Sequence, residues 1–188
     1  MKIVMTAEEI ALLENFMRQS QSYFEFGMGG STCLAARTVQ RRISAIDSDL
    51  QWVENVRSAI GAAAPADKEI VLNQVDIGRT GEWGTPIGRE SEDKFPAYSK
   101  AILAQPDDVD LCLVDGRFRV SCFLTSLLHL RPDAVLAIHD YIRPEYFEIE
   151  SFARPIAGVD TLKLFVRRAD ADLAALQSRA EATRLDPR

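Results

Sequence analysis

The sequence predicts an α/β fold in which a doubly wound, mostly parallel sheet with a late antiparallel strand lies between helices, a three-layer α/β/α arrangement. Helical and strand patterns alternate along the 188 residues, which is typical of parallel sheets. Residues 23–32, YFEFGMGGST, place Glu25 in an apolar strand before three glycines and a helix start. Asp47 ends a second strand, 22 residues after Glu25. This combination is typical of a nucleotide or nucleoside site.

The remaining elements follow in order along the chain. Thr6 and Glu9 form a capping-box pattern that starts a helix within residues 1–20. The predicted strands cover residues 23–26, 43–46, 70–75, 110–114, 134–138 and 162–166, the last antiparallel to residues near 154–156. One predicted helix begins at Ser31 or Thr32. The others cover residues 51–60, 120–130, 145–152 and 169–184, the last within a tail at 169–188. Small residues and proline at 62–68 predict a linker.

A long loop separates the third and fourth strands. Residues 78–96 contain four glycines and two prolines over nineteen positions, which is longer than most connections in compact domains. Such a loop is either a functional lid or a solvated excursion. As a lid, it would place Trp83 and Phe95 over the ligand.

Composition indicates one soluble domain over residues 1–188. The chain is 47% apolar and 27% charged, and no segment has the pattern of a membrane span or signal peptide, so we expect a cytoplasmic protein. The net charge of −6 disfavours a nucleic-acid partner. Cys33, Cys112 and Cys122 lack the spacing of a disulfide framework or zinc site, so we interpret them as reduced core residues. Homo-oligomer formation stays open.

Glu25 bears on the choice of ligand. NAD and FAD place a pyrophosphate against such a turn, where a carboxylate would oppose binding. S-adenosylmethionine has no phosphate and brings a cationic sulfonium and ammonium, which Glu25 would attract. Thr32 also occupies the third glycine position of the dinucleotide pattern. An NAD-dependent oxidoreductase is therefore the less favoured alternative.

The segment EFGMGGST, residues 25–32, resembles motif I of class I S-adenosylmethionine-dependent methyltransferases. Its GGST ending is similar to a branch of mostly uncharacterised bacterial methyltransferases. ISAIDSD (43–49) resembles the second strand of that family, VDLCLVDGRFR (109–119) the fourth, and VLAIHDYIRPEY (135–146) the fifth with its exit loop. The resemblance implies a Rossmann-like fold, S-adenosylmethionine as the cofactor, and transfer of a methyl group to a small molecule, with oxygen the favoured acceptor atom. A non-catalytic S-adenosylmethionine-binding module is a further alternative.

The turn, its flanking residues and two strand-end acids are the candidate cofactor ligands. They are Glu25, Gly27, Gly29, Gly30, Ser31, Asp47 and Asp76. The position of Asp47 fits an acid that binds ribose hydroxyls, although an acid there can also cap the next helix, as Asp49 can. The resemblance places Asp76 near adenine, and a strand-terminal turn is its alternative role.

Asp115, His139 and Asp140 are the candidate catalytic residues, since they follow the ends of the fourth and fifth strands. His139 is a candidate general base that a carboxylate would orient. Alternatively, Asp115 and Asp140 would hold a divalent cation, as in catechol-type O-methyltransferases, which these positions distantly resemble. Those enzymes follow the second acid with an amide, whereas Tyr141 follows here, so we expect no metal. Simple structural roles also stay open, with Asp115 in a turn and His139 as a hydrogen-bonding residue at a strand end.

Three arginines follow the same strand ends. Arg117, Arg119 and Arg143 would suit a carboxylate or phosphate on the methyl acceptor, because a guanidinium binds planar anions through two parallel hydrogen bonds. Ion pairs with neighbouring acids are the alternative role. The sequence therefore predicts a small-molecule acceptor, with an anionic one as an open choice.

Overall fold

A mixed sheet forms the centre of the protein, of which the computed structural model describes residues 1–61 and 68–188. Its strands in chain order are β1 Ser22–Phe26, β2 Arg42–Asp47, β3 Glu69–Gln74, β4 Leu111–Val114, β5 Val135–Ile138, β6 Ala153–Val159 and β7 Leu162–Arg167. Over the described residues the sheet has seven strands in the order β3-β2-β1-β4-β5-β7-β6. Strands β1 to β5 are parallel, and β7 pairs antiparallel with both β5 and β6. The predicted fold class is confirmed.

Helices cover both faces of this sheet. They are α1 Ala7–Gln19, α2 Gly30–Thr38, α3 Leu50–Ile60, α4 Pro96–Lys100, α5 Arg119–His129 and α6 Leu173–Thr183. The first three pack on one face and the last three on the other. Neighbouring residues of β1 face opposite layers, since Tyr23 packs with α1 and α2 whereas Phe24 packs with α5. Every residue of β1 is buried, which explains its nearly continuous apolar sequence.

The strand order places the ligand crevice. The chain moves outward from β1 to β3 on one side and then returns to β4 on the other side of β1. In open α/β sheets, ligands bind beyond the carboxyl ends of the strands at the point where this order reverses. The turn after β1 and the loop after β4 therefore face each other at the expected site.

The observed elements differ from the expected ones in several places. Two 3-10 helices, Glu82–Gly84 and Glu92–Lys94, lie within residues 78–96, where we predicted a loop. A short helix, α4, and a 3-10 helix at Ala101–Ala104 then lead to β4. The helix expected at 145–152 is a 3-10 helix, Pro144–Ser151, and the tail helix begins at Leu173 because Asp172 caps it. The predicted linker at 62–68 falls outside the described residues except for Lys68. Among the described residues, no helix combines the length and apolar character that crossing a membrane requires.

Candidate active site

A cavity of about 860 Å³ opens at the carboxyl ends of the central strands. It is lined by the turn after β1, the end of β2 and the loops after β4 and β5. Residues 1–4 and 81–85 also line it. Predicted site residues that line it are Gly27, Gly29, Gly30, Ser31, Asp47, Asp115, His139 and Asp140. Glu25 and Asp76 do not line it.

The turn after β1 requires glycine at two positions. Gly27 has a φ of +84°, and a Cβ there would overlap the backbone of Gly116 in the loop after β4. A Cβ on Gly30 would overlap the carbonyl group of Lys2, which lies across the start of α2. Gly29 has extended backbone and open space around it. The two central loops thus touch backbone to backbone, with no side chain between them.

Glu25 lies beneath this turn and is fully buried. Its carboxylate accepts hydrogen bonds from Ser31 Oγ and from Thr32 Oγ1, the latter at 2.7 Å. Thr32 Oγ1 also accepts a hydrogen bond from Gly29 N at 2.8 Å. Burial raises the pKa of Glu25 to about 8, since it outweighs these two hydrogen bonds. Glu25 therefore fixes the first turn of α2 and reaches the cavity only through Ser31.

Asp47 and Asp49 have separate roles at the end of β2. Asp49 caps α3, because its Oδ1 accepts from Trp52 N at 3.0 Å. Asp47 lines the cavity, where its Oδ1 accepts from Asp49 N at 3.0 Å. Burial raises the pKa of Asp47 to about 6. The helix cap thus belongs to Asp49, and Asp47 remains available to a ligand.

Asp76 is placed away from the cavity. Its Oδ2 pairs with Lys94 Nζ at 2.6 Å, and its Oδ1 accepts from Gly78 N at 2.8 Å. The hydrogen bond from Lys94 lowers the pKa of this exposed carboxyl. The geometry is that of an acid in a strand-terminal turn, and it does not bring Asp76 to the other candidate cofactor ligands.

The three candidate catalytic residues lie together. His139 Nδ1 is 3.1 Å from Asp115 Oδ1 and 3.8 Å from Asp140 Oδ1. On its other side, His139 Nε2 is 3.4 Å from Glu9 Oε2. Burial lowers the pKa of His139, but Asp115 first, and then Asp140 and Glu9, outweigh burial and raise it above its usual value. The imidazole is thus held between carboxylates on both edges.

Arg119 forms ion pairs with both Asp115 and Asp140. Its guanidinium pairs with Asp115 Oδ1 and with Asp140 Oδ2, each at 3.2 Å. It also donates to the carbonyl groups of Gly116 at 3.0 Å and His139 at 2.6 Å. Ligand atoms of Asp115, His139 and Asp140 lie within 4.8 Å of one another, a spacing that suits a metal ion. However, the buried Arg119 guanidinium already forms an ion pair with each of the two carboxylates, so the donor set is a poor fit to a divalent cation.

The two aromatic residues of the long loop lie in different environments. Trp83 is 78% exposed, lines the mouth of the cavity and has a φ of +58°. Phe95 is buried in the core, where its ring centroid lies 5.2 Å from that of Phe118. The expectation that Phe95 covers a ligand is therefore wrong, because the apolar ring packs beneath α4. Residues 81–85 are the part of the loop that borders the cavity.

No protein-family model matches the sequence, and no curated protein matches it. Solved structures of similar fold include the following three. A methyltransferase-like protein from Silicibacter pomeroyi is 27% identical, with a TM-score of 0.88, and the match covers 99% of this chain and 98% of that one. An S-adenosylmethionine-dependent O-methyltransferase from Thermotoga maritima is 10% identical, with a TM-score of 0.57 and coverages of 89% and 67%. An RNA methyltransferase from Salinibacter ruber in complex with S-adenosyl-L-homocysteine is 14% identical, with a TM-score of 0.52 and coverages of 90% and 99%. The protein has a methyltransferase fold.

Within this methyltransferase fold, Glu9 is the site residue that the sequence did not reveal. Its capping box is confirmed, since Thr6 N donates to Glu9 Oε2 at 2.8 Å and Glu9 N donates to Thr6 Oγ1 at 3.2 Å. Glu9 Oε1 also accepts from Thr161 N at 2.9 Å and from Thr161 Oγ1 at 2.8 Å. The capping pattern predicted the helix start, but it gave no sign that the same carboxylate faces His139.

Proposed function

We propose that the protein transfers a methyl group from S-adenosylmethionine to a hydroxyl group of a small-molecule acceptor. The observation that supports this most is that the glycine turn and Asp47 share one cavity with the Asp115, His139 and Asp140 cluster. Cofactor ligands and proton-handling groups must share one cavity for such a reaction. The fold similarity to methyltransferases supports the same class of chemistry.

The cofactor half of the site is built mainly from backbone. Residues 27–31 supply a turn with three glycines and the N–H groups at the start of α2, which suit the carboxylate of an amino-acid moiety. Asp47 is suited to bind the ribose hydroxyls, because it ends β2 at the cavity wall and is not the helix cap. Glu25 acts through Ser31 in this proposal and does not touch the cofactor.

The acceptor half handles a proton. When bound, S-adenosylmethionine supplies a sulfonium methyl group: the acceptor oxygen forms the new C–O bond while the C–S electron pair returns to sulfur, leaving S-adenosylhomocysteine. The hydroxyl proton must leave the acceptor, and we assign its removal to the Asp115–His139 pair, which lines the same cavity. Asp140 and Arg119 hold that pair in position. We expect the reaction to proceed without a metal, so that EDTA leaves turnover unchanged.

A ligand screen tests the cofactor assignment without an identified acceptor. Melting temperatures are measured with S-adenosylmethionine, S-adenosylhomocysteine, NAD and NADP. We expect stabilisation by the first two, since a ligand at 100 times its dissociation constant adds about 2.7 kcal/mol to the free energy of unfolding. Stabilisation by NAD or NADP alone would overturn the proposal and favour an oxidoreductase.

A further inference from the structure

The three arginines at the cavity differ in what their guanidinium groups contact. Arg119 is 3% exposed and fully engaged, with two aspartates and three carbonyl groups as partners. Arg143 pairs with Asp140 Oδ2 at 3.1 Å and donates to Tyr146 Oη at 3.1 Å. Both groups therefore have internal partners that explain their positions.

Arg117 has no such partner. Among residues 1–61 and 68–188, no carboxylate forms an ion pair with its guanidinium, and its Nε is buried without a hydrogen-bond acceptor. The side chain lines the cavity, and its methylene groups lie beside Gly84 of the long loop. Burial lowers the pKa of Arg117, and the positive charge of Arg119 lowers it further.

A half-buried, unpaired guanidinium is costly for the folded protein. Burying a charge without an opposite charge or hydrogen-bond acceptor opposes folding, and native structures rarely leave such groups unsatisfied without a functional reason. An anion that enters the cavity would satisfy Nε and neutralise the charge. The side chain is half-buried, so the attraction would be stronger than at an open surface.

We propose that Arg117 binds a carboxylate or phosphate group of the methyl acceptor, so that the substrate is a small hydroxylated acid or phosphate ester. This inference rests on the proposed function. Arg117 stands two residues after Asp115 in the same loop, and both line the same cavity. An acceptor anchored at Arg117 would therefore present a nearby hydroxyl group to Asp115. The carboxylate of the cofactor has the N–H groups at the start of α2 as an alternative partner.

Anion binding is tested on the protein saturated with S-adenosylhomocysteine. Inorganic phosphate, acetate and the neutral isostere acetamide are titrated at constant ionic strength. Melting temperature and the NMR signal of the Arg117 Nε–H group are recorded, and the signal is assigned by its loss in Arg117→Lys. We expect phosphate, acetate or both to raise the melting temperature and shift the signal, and acetamide to do neither. The anion with the stronger effect identifies the acceptor as a phosphate ester or a carboxylic acid.

Matched variants assign the effect to one side chain. Arg117→Gln should abolish the response to anions, while Arg79→Gln, which changes an exposed arginine outside the cavity wall, should retain it. If Arg117→Gln proves unstable, the weaker response of Arg117→Lys serves the same comparison, because lysine keeps the charge but loses the planar fork. An unchanged response in both variants, or no response of the wild-type protein to either anion, would overturn the proposal.

Two further measurements distinguish a role of Arg117 in binding the acceptor from a role in binding the cofactor. The affinity of Arg117→Gln for S-adenosylhomocysteine should match the wild type, and a large loss would reassign Arg117 to the cofactor. Failure of wild-type protein to bind S-adenosylhomocysteine would refute the proposed function instead, and the anion titration of ligand-free protein would still test Arg117. Displacement of both small anions by a single-stranded RNA would overturn the small-molecule assignment.

Turnover gives the final readout. Hydroxy acids are compared with their neutral methyl esters, and hydroxylated phosphate esters with their neutral dimethyl esters, by the release of S-adenosylhomocysteine. We expect the anionic member of each pair to be the substrate. Arg117→Gln should raise its KM by roughly 10- to 100-fold, the range for losing a hydrogen bond to a charged group, with a smaller change in kcat. Equal turnover of acid and ester by the wild-type protein would contradict the inference.

Discussion

The two halves of the cavity are built in different ways. The cofactor half comes mainly from one continuous segment, which Asp47 joins at the end of β2. Glycine backbone and the start of α2 set its shape, and Glu25 supports them from below. The acceptor half joins side chains from the loops after β4 and β5 with Glu9 from α1, whose carboxylate is 130 positions from His139 in sequence. The first half depends on local conformation, whereas the second depends on long-range charge pairing. Mutations should therefore affect the two halves through different observables.

Loss of Asp115 is expected to have the largest effect, and it should be confined to the acceptor half. Asp115→Asn keeps the size of the side chain but removes the charge that faces His139. If the pair takes the acceptor proton, turnover should fall by about 10²–10⁴. Affinity for S-adenosylhomocysteine, measured by calorimetry, should stay close to the wild-type value. A variant with full turnover on an identified acceptor would leave alignment alone as the source of rate enhancement.

A methyl group on Gly27 should break the cofactor half through the backbone. Gly27→Ala places a side chain at positive φ and against Gly116, so we expect the free energy of unfolding to fall by about 2–5 kcal/mol. Gly29→Ala is the matched control, because its backbone is extended and its Cβ meets nothing. Denaturant unfolding compares the two variants. Equal stability of both would mean that the two loops do not touch in solution.

Asp47 and Asp49, two positions apart, provide a sharper test of which acid binds the cofactor. Asp47→Asn should weaken binding of S-adenosylhomocysteine by about 1–3 kcal/mol, since a ribose hydroxyl would lose its charged acceptor. Asp49→Asn should leave that affinity unchanged, because asparagine caps a helix about as well as aspartate. Calorimetry on both variants measures the difference. The reverse result would exchange the roles of the two acids.

The smallest expected effect concerns the charge on His139. Its raised folded pKa means that the contacts of His139 stabilise the protein fully below the unfolded pKa, and that this stability is lost as pH rises through the folded value. Glu9→Gln should lower the folded pKa and weaken this pH dependence. Because the chain has two histidines, ¹⁵N NMR of the imidazole signals can follow the titration directly, with His129→Gln providing the assignment. An unshifted titration in Glu9→Gln would show that Glu9 does not influence the ring.

The sequence predicted the parts of the protein that local patterns determine. The strands of the sheet, the capping of α1 and the antiparallel ending follow from periodicity and turn residues over short stretches. The neighbourhood of the acceptor half was harder to predict. Arg119 was grouped with Arg117 and Arg143 because all three follow strand ends. Tertiary packing nevertheless buries Arg119, pairs Arg143 with Asp140 and leaves Arg117 unpaired.

Burial also gives different surroundings to residues that look equivalent in sequence. Trp83 and Phe95 are aromatic residues of one loop, but only Trp83 borders the cavity because Phe95 precedes a short helix that packs on the core. Glu25 was expected at the ligand and lies one layer beneath it, since Ser31 and Thr32 intervene. Local patterns do not report such differences of a few ångströms in depth.

The contact between Gly27 and Gly116 also has a consequence for inhibitor design. Both residues line the cavity, and the turn that borders the cofactor half touches the loop that leads to Arg117 through backbone atoms. One molecule that joins an adenosine group to an acidic acceptor mimic would therefore have only a short distance to cross from one half to the other. Linking the two groups would raise the effective concentration of the second at its subsite. Such a bisubstrate compound should be far more selective than an adenosine analogue, since it would occupy the Arg117 subsite as well as the cofactor subsite.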